Sequence, residues 1–285
     1  MNHLYDLAKF PLGRTNFSLI MPSIEPDIPC EKRALFLVVI VNSGADEGVH
    51  RSLRSSIRKT WGNSTATPGN TNTWRLFFAL GDTANVVWNR ENRREASQFN
   101  DVIIGHFMDS YKNMIVKTLM GHLWAFSRFS CQYVLKSDDD VYIRIPRLSY
   151  WLSQAGRPRR FYGGLLNEGD RPHRDPKSKW YISKEVYNVS TWPSYCHGAF
   201  HVISTDILPG LFNYTQFKKP FYIDDAYLGV AARDLGVKAI RIPGFRLSLP
   251  ADDCQWMSST AIGHKLSPAS IIRFHGIYKA LSYYL

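Results

Sequence analysis

The stretch Tyr133-Val134-Leu135-Lys136-Ser137-Asp138-Asp139-Asp140-Val141-Tyr142-Ile143 decides how this chain folds. A short apolar run ends abruptly in three consecutive carboxylates, and apolar residues resume at once. The run reads as a buried strand. The triplet then falls at the strand's C-terminal end, where open α/β sheets bind ligands. Three adjacent acids repel one another, so they either face water as an acidic turn or take a compensating cation. Oxygen-only ligands suit Mg²⁺ or Mn²⁺, which in turn hold phosphate groups.

Strand and helix periods alternate on both sides of this stretch. Residues 34–41 form a β-branched run closed by Asn42-Ser43-Gly44, the pattern of a central strand. Residues 51–61 follow helical spacing, with Leu53, Ile57 and Trp61 on one stripe and Arg51, Arg54 and Arg58 on another. Further strands are expected at 74–80, 102–104, 133–136, 161–166, 200–204 and 237–242. Helices are expected at 113–128, with Ile115, Leu119, Leu123 and Phe126 inward, at 146–153, and at 224–235 with Asp224 as N-cap. The alternation argues an α/β sheet covered by helices on both faces. Residues 1–33, with Pro11, Pro22, Pro26 and Pro29, read as an irregular stem or linker. Residues 34–285 read as a single catalytic domain.

An apolar fraction of 45% supports a full core, so disorder is excluded as the main state. The net charge of +11 admits nucleic acid, an anionic membrane face or a phosphorylated substrate. The basic residues are scattered, and no zinc finger or KH loop occurs, which argues against nucleic acid. No run approaches the roughly 18 apolar residues that span a bilayer, and no apolar stretch of a signal peptide follows Met1. Sequons at Asn16, Asn63, Asn188 and Asn213 fit the secretory pathway, where Cys30, Cys131, Cys196 and Cys254 would tend to pair. Of the three connectivities, Cys30 with Cys131 and Cys196 with Cys254 is the expectation.

The triplet belongs to an ordered set of motifs. Arg54-Ser55-Ser56-Ile57-Arg58-Lys59-Thr60-Trp61-Gly62, Asp109-Ser110-Tyr111-Lys112-Asn113 and Lys117-Thr118 precede it. Lys179-Trp180-Tyr181, Pro193-Ser194-Tyr195-Cys196-His197-Gly198 and Asp224-Asp225-Ala226-Tyr227-Leu228-Gly229 follow it. The set resembles the β-1,3-glycosyltransferases of glycosyltransferase family 31, over about residues 35–270. The resemblance implies a GT-A-like nucleotide-sugar-binding fold with a mixed central sheet. It implies transfer from UDP-galactose or UDP-N-acetylglucosamine to an oligosaccharide, glycoprotein or glycolipid acceptor in the Golgi lumen. It also implies an N-terminal membrane anchor, a pattern from which this chain departs.

Residue roles carry over in the same terms. Asp140 matches the family's direct metal ligand, and Asp138 and Asp139 its nucleotide contacts. His264, in Gly263-His264-Lys265-Leu266-Ser267-Pro268, resembles the late histidine of the family and would be a distant ligand, its imidazole favouring Mn²⁺. Asp225 matches the base that deprotonates the acceptor hydroxyl. Asp224 stands for the family's Glu beside it, and Ala226 for its Val. Arg54 and Arg58, four residues apart on one helical face, are expected to fork the diphosphate or uracil, with Lys136 on the donor side. Trp180, Tyr195, His197 and Gly198 are expected to line the sugar sites, since aromatics stack on sugar faces. One base and in-line attack on an α-linked UDP-sugar give a β product. Competing readings are a silent sugar-binding relative, which would have lost a metal acid or the base, and a two-metal phosphohydrolase, which would need more dispersed ligands.

Overall fold

The computed structural model describes residues 15–28, 34–46, 48–63 and 73–282. Strand β1 (Leu35–Asn42) is buried along its whole length, as an unbroken run of Leu, Phe, Val and Ile requires of a strand covered on both faces. It pairs in parallel with β2 (Trp74–Asp82) on one side and with β4 (Cys131–Asp138) on the other. Strand β3 (Val102–Met108) adds to β2, also in parallel. The chain thus steps outward from β1 and returns to its far side, so a topological switch point lies between β1 and β4. Asn42 and Asp138 are register partners at that point. Ligands of open α/β sheets bind there, because no crossover covers the strand ends.

Helix α1 (Gly48–Lys59) follows β1, α2 (Val86–Phe99) follows β2, and α3 (Met114–Arg128) follows β3 through a 3₁₀ turn at Tyr111–Asn113. After β4 come β5 (Tyr142–Ile143), α4 (Ile145–Gln154), β6 (Tyr162–Asn167), β7 (Tyr195–Ser204), α5 (Leu208–Thr215), α6 (Asp224–Asp234) and β8 (Ala239–Arg241). The chain continues through β9 (Phe245–Arg246), α7 (Asp253–Ser258), β10 (Ala261–Ile262) and α8 (Pro268–Ser282). Seven strands form one sheet in the order β3-β2-β1-β4-β7-β6-β8, and β5-β10-β9 form a small second sheet. β7 runs antiparallel to β4 and β6, so the large sheet is mixed. Val38 and Ile40 face a core closed by α3, α5 and α6, and Leu37, Val39 and Val41 one closed by α1, α4 and α8. The expected mixed sheet with helices on both faces is what the chain builds.

Several expectations need correction. Residues 15–28 contain no helix and one isolated bridge, but they do not form a free stem. Ile24 bridges Ile104 of β3, and Glu25 accepts hydrogen bonds from Trp124 Nε1 (2.7 Å) and Arg128 Nε (2.9 Å). Residues 1–14 and 29–33 lie outside the described ones. Ile223, not Asp224, is the N-cap of α6, so both acids enter the first turn. Phe126 is 40% exposed and not inward: Trp124 and Ala125 take the buried face at this end of α3, and Phe126 packs edge-on against Phe212 of α5. Cys196 and Cys254 are not joined: one is buried in β7 and the other exposed on α7. Cys30 lies outside the described residues.

The Leu53, Ile57 and Trp61 stripe of α1 is buried as expected. Trp61 adds a polar tie, its indole donating to the Val141 carbonyl at 3.1 Å and anchoring the end of the acidic turn. Trp61→Phe should keep the fold and lower stability by about 1–2 kcal/mol, because a buried carbonyl loses its donor. Urea unfolding should show a lower midpoint with an unchanged m-value; an unmoved midpoint would remove this role.

Candidate active site

The acidic triplet leaves the end of β4 in three directions. Asp138 accepts a hydrogen bond from Lys136 Nζ at 2.7 Å. Asp139 turns inward, accepting from Ser43 Oγ at 2.6 Å and lying 2.8 Å from His50 Nδ1. Asp140 accepts from the Lys265 backbone N–H at 2.8 Å, and the same oxygen lies 3.8 Å from His264 Nδ1. The other Asp140 oxygen is buried without a hydrogen-bond partner. Burial and then the neighbouring Asp138 push the Asp140 carboxyl up to about 6.

The pairing of β10 with β5 brings His264 to Asp140. Gly263 makes the approach possible: its φ of 132° suits glycine, and a side chain there would stand 3.1 Å from the Asp140 carbonyl. Among the described residues no three His, Cys, Asp or Glu side chains gather as a metal cluster. One carboxylate with an orphaned oxygen and one imidazole could hold a cation only in part, so further oxygen ligands would have to complete its shell.

The two arginines of α1 are not a free fork, which corrects the expectation drawn from their spacing. Arg54 is 1% exposed and donates to both Glu95 oxygens (2.9 and 2.6 Å), to Ser43 Oγ and to the Gly44 carbonyl. Arg58 binds Asp101 through two nitrogens and Glu95 through a third. Burial alone would raise the Glu95 carboxyl, but hydrogen bonds from Arg54 and Arg58 hold it below the ordinary range. Arg54 reaches the acidic turn at second hand, through the Ser43 hydroxyl that binds Asp139. Asp139 is 4% exposed and meets both of its partners, Ser43 and His50, through the same oxygen.

The second half of the site lies at the start of α6. Asp225 accepts hydrogen bonds from Gly198 N–H (3.0 Å) and Ala226 N–H (2.8 Å). Burial, and then Asp224 beside it, push its carboxyl up to about 7. Asp224 is buried and takes a hydrogen bond from Thr118 Oγ1 at 3.1 Å. Asp225 opens into a cavity of about 320 Å³ whose lining includes Asp170, His173, Trp180, Tyr195 and His197. Trp180 is 44% exposed and Tyr195 donates to Asp170 at 2.7 Å, so the cavity pairs an aromatic wall with a fixed carboxylate. Gly229 lets α6 approach β7 this closely, since a side chain there would meet Tyr195 Cβ at 2.4 Å.

His197 joins the two halves. It lines this cavity, and its ring lies 5.9 Å from that of His264. Burial, and then His264, push it down to about 4, so it is neutral near pH 7. Lys136 is 1% exposed and meets the site from within the protein, its ammonium 2.7 Å from Asp138. The site therefore brings together Asp138, Asp140, His197, Gly198, Asp224, Asp225 and His264, with the Lys136 ammonium buried between its halves, and holds Arg54, Arg58 and Asp139 behind it.

A family model described as Galactosyltransferase matches residues 52–243, most of the described chain and all of the elements from α1 to β8 but their edges. The chain belongs to the galactosyltransferase family. Beta-1,3-galactosyltransferase 1 of Mus musculus is 31% identical over 268 residues, spanning 92% of this chain and 79% of that one. Beta-1,3-galactosyltransferase 5 of Pan troglodytes is 32% identical over 217 residues, 75% and 70% of the two chains. Among solved structures, the galactosyltransferase LgtC with donor and acceptor sugar analogs aligns at a TM-score of 0.42, with 11% identity over 84% of this chain and 95% of that one. Hexosyl transfer is the chemistry that this galactosyltransferase membership carries.

Residues not anticipated from the sequence stand beside those that were. His50, Ser43 and Glu95 support the acidic turn, and Asp170 and His173 line the cavity beside Asp225. Asp109 pairs with buried Lys117 at 2.6 Å, which in turn donates to the Ser43 carbonyl at 2.7 Å. Their motifs were visible, but the contacts join segments far apart in sequence. Glu95→Ala should leave Arg54 an uncompensated buried charge and cost about 3–5 kcal/mol. Equilibrium unfolding measures this; a loss below about 1 kcal/mol would return Arg54 to a substrate-facing role.

Proposed function

We propose that this galactosyltransferase-family protein transfers galactose from UDP-galactose to the 3-hydroxyl of an acceptor glycan, with inversion to a β-1,3 linkage. The observation that carries the reading is Asp225: a carboxyl held by two backbone N–H groups in a sugar-sized cavity and balanced near pH 7. The acceptor hydroxyl must give up a proton as it attacks, and a base with a pKa near the working pH serves best. Ionised Asp225 takes that proton. The Trp180 wall and the Tyr195–Asp170 pair support stacking and orientation of the acceptor sugar. Attack from the Asp225 side, in line with the departing diphosphate, inverts the anomeric centre.

The donor is assigned to the switch point between β1 and β4, with Asp138 toward the nucleotide-sugar. Asp140 and His264 are the residues that would hold a Mn²⁺ ion. Such a cation, when bound, would neutralise the diphosphate leaving group. Neutral His197 lies between the two substrates without adding charge. The lumen of the Golgi is the proposed compartment, with membrane association through the family's usual anchoring. The four sequon asparagines, Asn16, Asn63, Asn188 and Asn213, are all exposed, which supports glycan attachment there. No helix among the described residues is long and apolar enough to cross a membrane.

The deciding experiment is a donor panel scored by UDP release, with β-galactosides and β-N-acetylglucosaminides as acceptors, with and without Mn²⁺. Turnover with UDP-galactose and acceptor is expected; turnover with no UDP-sugar would overturn the reading. Asp225→Asn should cut kcat by about 10²-fold or more and leave calorimetric UDP binding largely intact. In the unaltered protein kcat/KM should rise with pH through about 7, because only the ionised carboxyl accepts a proton. Equal loss of binding and rate, or an acid limb absent near 7, would remove Asp225 as the base. Asp140→Ala should abolish Mn²⁺-dependent UDP binding, and His264→Ala should raise the Mn²⁺ requirement on the order of 10-fold. Unchanged metal titrations would sink the metal assignment.

A further inference from the structure

A buried ammonium group sits between the two halves of the site. Lys136 belongs to β4, opposite Ile40 of β1 and His201 of β7, in the middle of the sheet. Placing a charge there costs several kcal/mol unless partners meet it. It has partners from three elements. Its Nζ donates to Asp138 at the end of β4, donates to the Gly198 carbonyl in β7, and lies 3.8 Å from Asp224 of α6. Burial alone would strip its proton, but Asp138 and then Asp224 more than offset that and keep it charged. Gly198 is also the residue whose N–H binds Asp225, and Asp224 is the neighbour of Asp225 on the first turn of α6.

We infer that Lys136 is a positioning residue, whose ammonium fixes the donor-side Asp138 to the Gly198–Asp224 frame that aims Asp225 at the acceptor. This rests on Asp225 being the base. Two things follow from the geometry. One side chain reaches Asp138, the Gly198 carbonyl and Asp224 at once, adding a tie across the β4–β7 pairing and the Thr118 bond to Asp224. The single cation also balances a set of three carboxylates, Asp138, Asp224 and Asp225. The other ionisable groups around it are His122 of α3 and His197 and His201 of β7, all three held neutral by burial. Among the described residues, Lys136 is the cation that forms ion pairs with Asp138 and Asp224.

The test uses Lys136→Met and Lys136→Gln, two neutral replacements of similar length, so that one remains if the other does not fold. Either should lower kcat about 100-fold or more. Either should also move the acid limb of kcat/KM upward by about one pH unit, because the positive charge near Asp225 is gone. In Lys136→Ala, ethylammonium in the buffer should restore at least about 10-fold of the lost rate, while ethanol should not. A purely structural role would lower the melting temperature but leave the acid limb in place and show no amine rescue. That result, or a kcat within about 3-fold of the unaltered protein, overturns the inference. An Asp225→Asn protein that remains active overturns the base assignment itself, whereas an inactive Asp225→Asn beside an unmoved limb in the Lys136 variants overturns this inference alone.

Discussion

The site depends on keeping five carboxylates, Asp138, Asp139, Asp140, Asp224 and Asp225, at one end of a sheet. Like charges at that density repel by several kcal/mol in a partly buried site unless each finds its own compensation. The protein gives each a different one. Asp138 has an ammonium, Asp139 a hydroxyl and an imidazole, Asp140 a backbone N–H, Asp224 a threonine hydroxyl, and Asp225 two backbone N–H groups. Burial raises three of them, Asp140, Asp224 and Asp225, and a neighbouring carboxylate adds to the rise at each. The proposed roles fall to Asp140, toward a cation, and to Asp225, toward a proton.

Much of this arrangement was legible before the fold. The apolar run into Asp138 and the run at 34–41 are central strands because nothing polar interrupts them, and two such strands in parallel leave the acids at a switch point. Among the elements missed were α2, α5 and α8. Helix α2 is largely polar, and its signals are instead its caps. Asn85 accepts from the Val87 and Trp88 N–H groups, and Asn100 closes the helix at φ 52°. Helix α8 likewise opens on Ser267-Pro268, with Ser270 N–H donating to the Ser267 hydroxyl. Reading caps before periodicity would have found both.

The arginines of α1 show why spacing alone misleads. Positions i and i+4 do share a face, but that face meets α2 and the Asp101 turn before β3, not the ligand end. Glu95 and Asp101 lie some 40 residues away in sequence, and a lone pattern cannot see them. The corrected role is still tied to the site, since Arg54 holds the Ser43 hydroxyl that holds Asp139. Residue types that suit a ligand, in a place where the fold supplies an internal counter-charge, become scaffolding. Asp225 escaped this fate because its only partners are backbone groups, which leave its proton exchangeable.

The short contact of residues 15–28 has a further meaning. β3 is the last strand on its side of the large sheet, and its free backbone groups would otherwise be a template for pairing with another chain. Ser23 and Ile24 occupy part of that rim, with Ser23 N–H to the Ile104 carbonyl at 2.8 Å and Ile104 N–H to the Ile24 carbonyl at 2.9 Å. The segment that reads as a tether therefore also works as an edge guard. A recombinant protein begun at residue 34, where the sequence alone draws the domain boundary, would keep every site residue and expose a bare strand. Solubility, not activity, would then set the useful starting point.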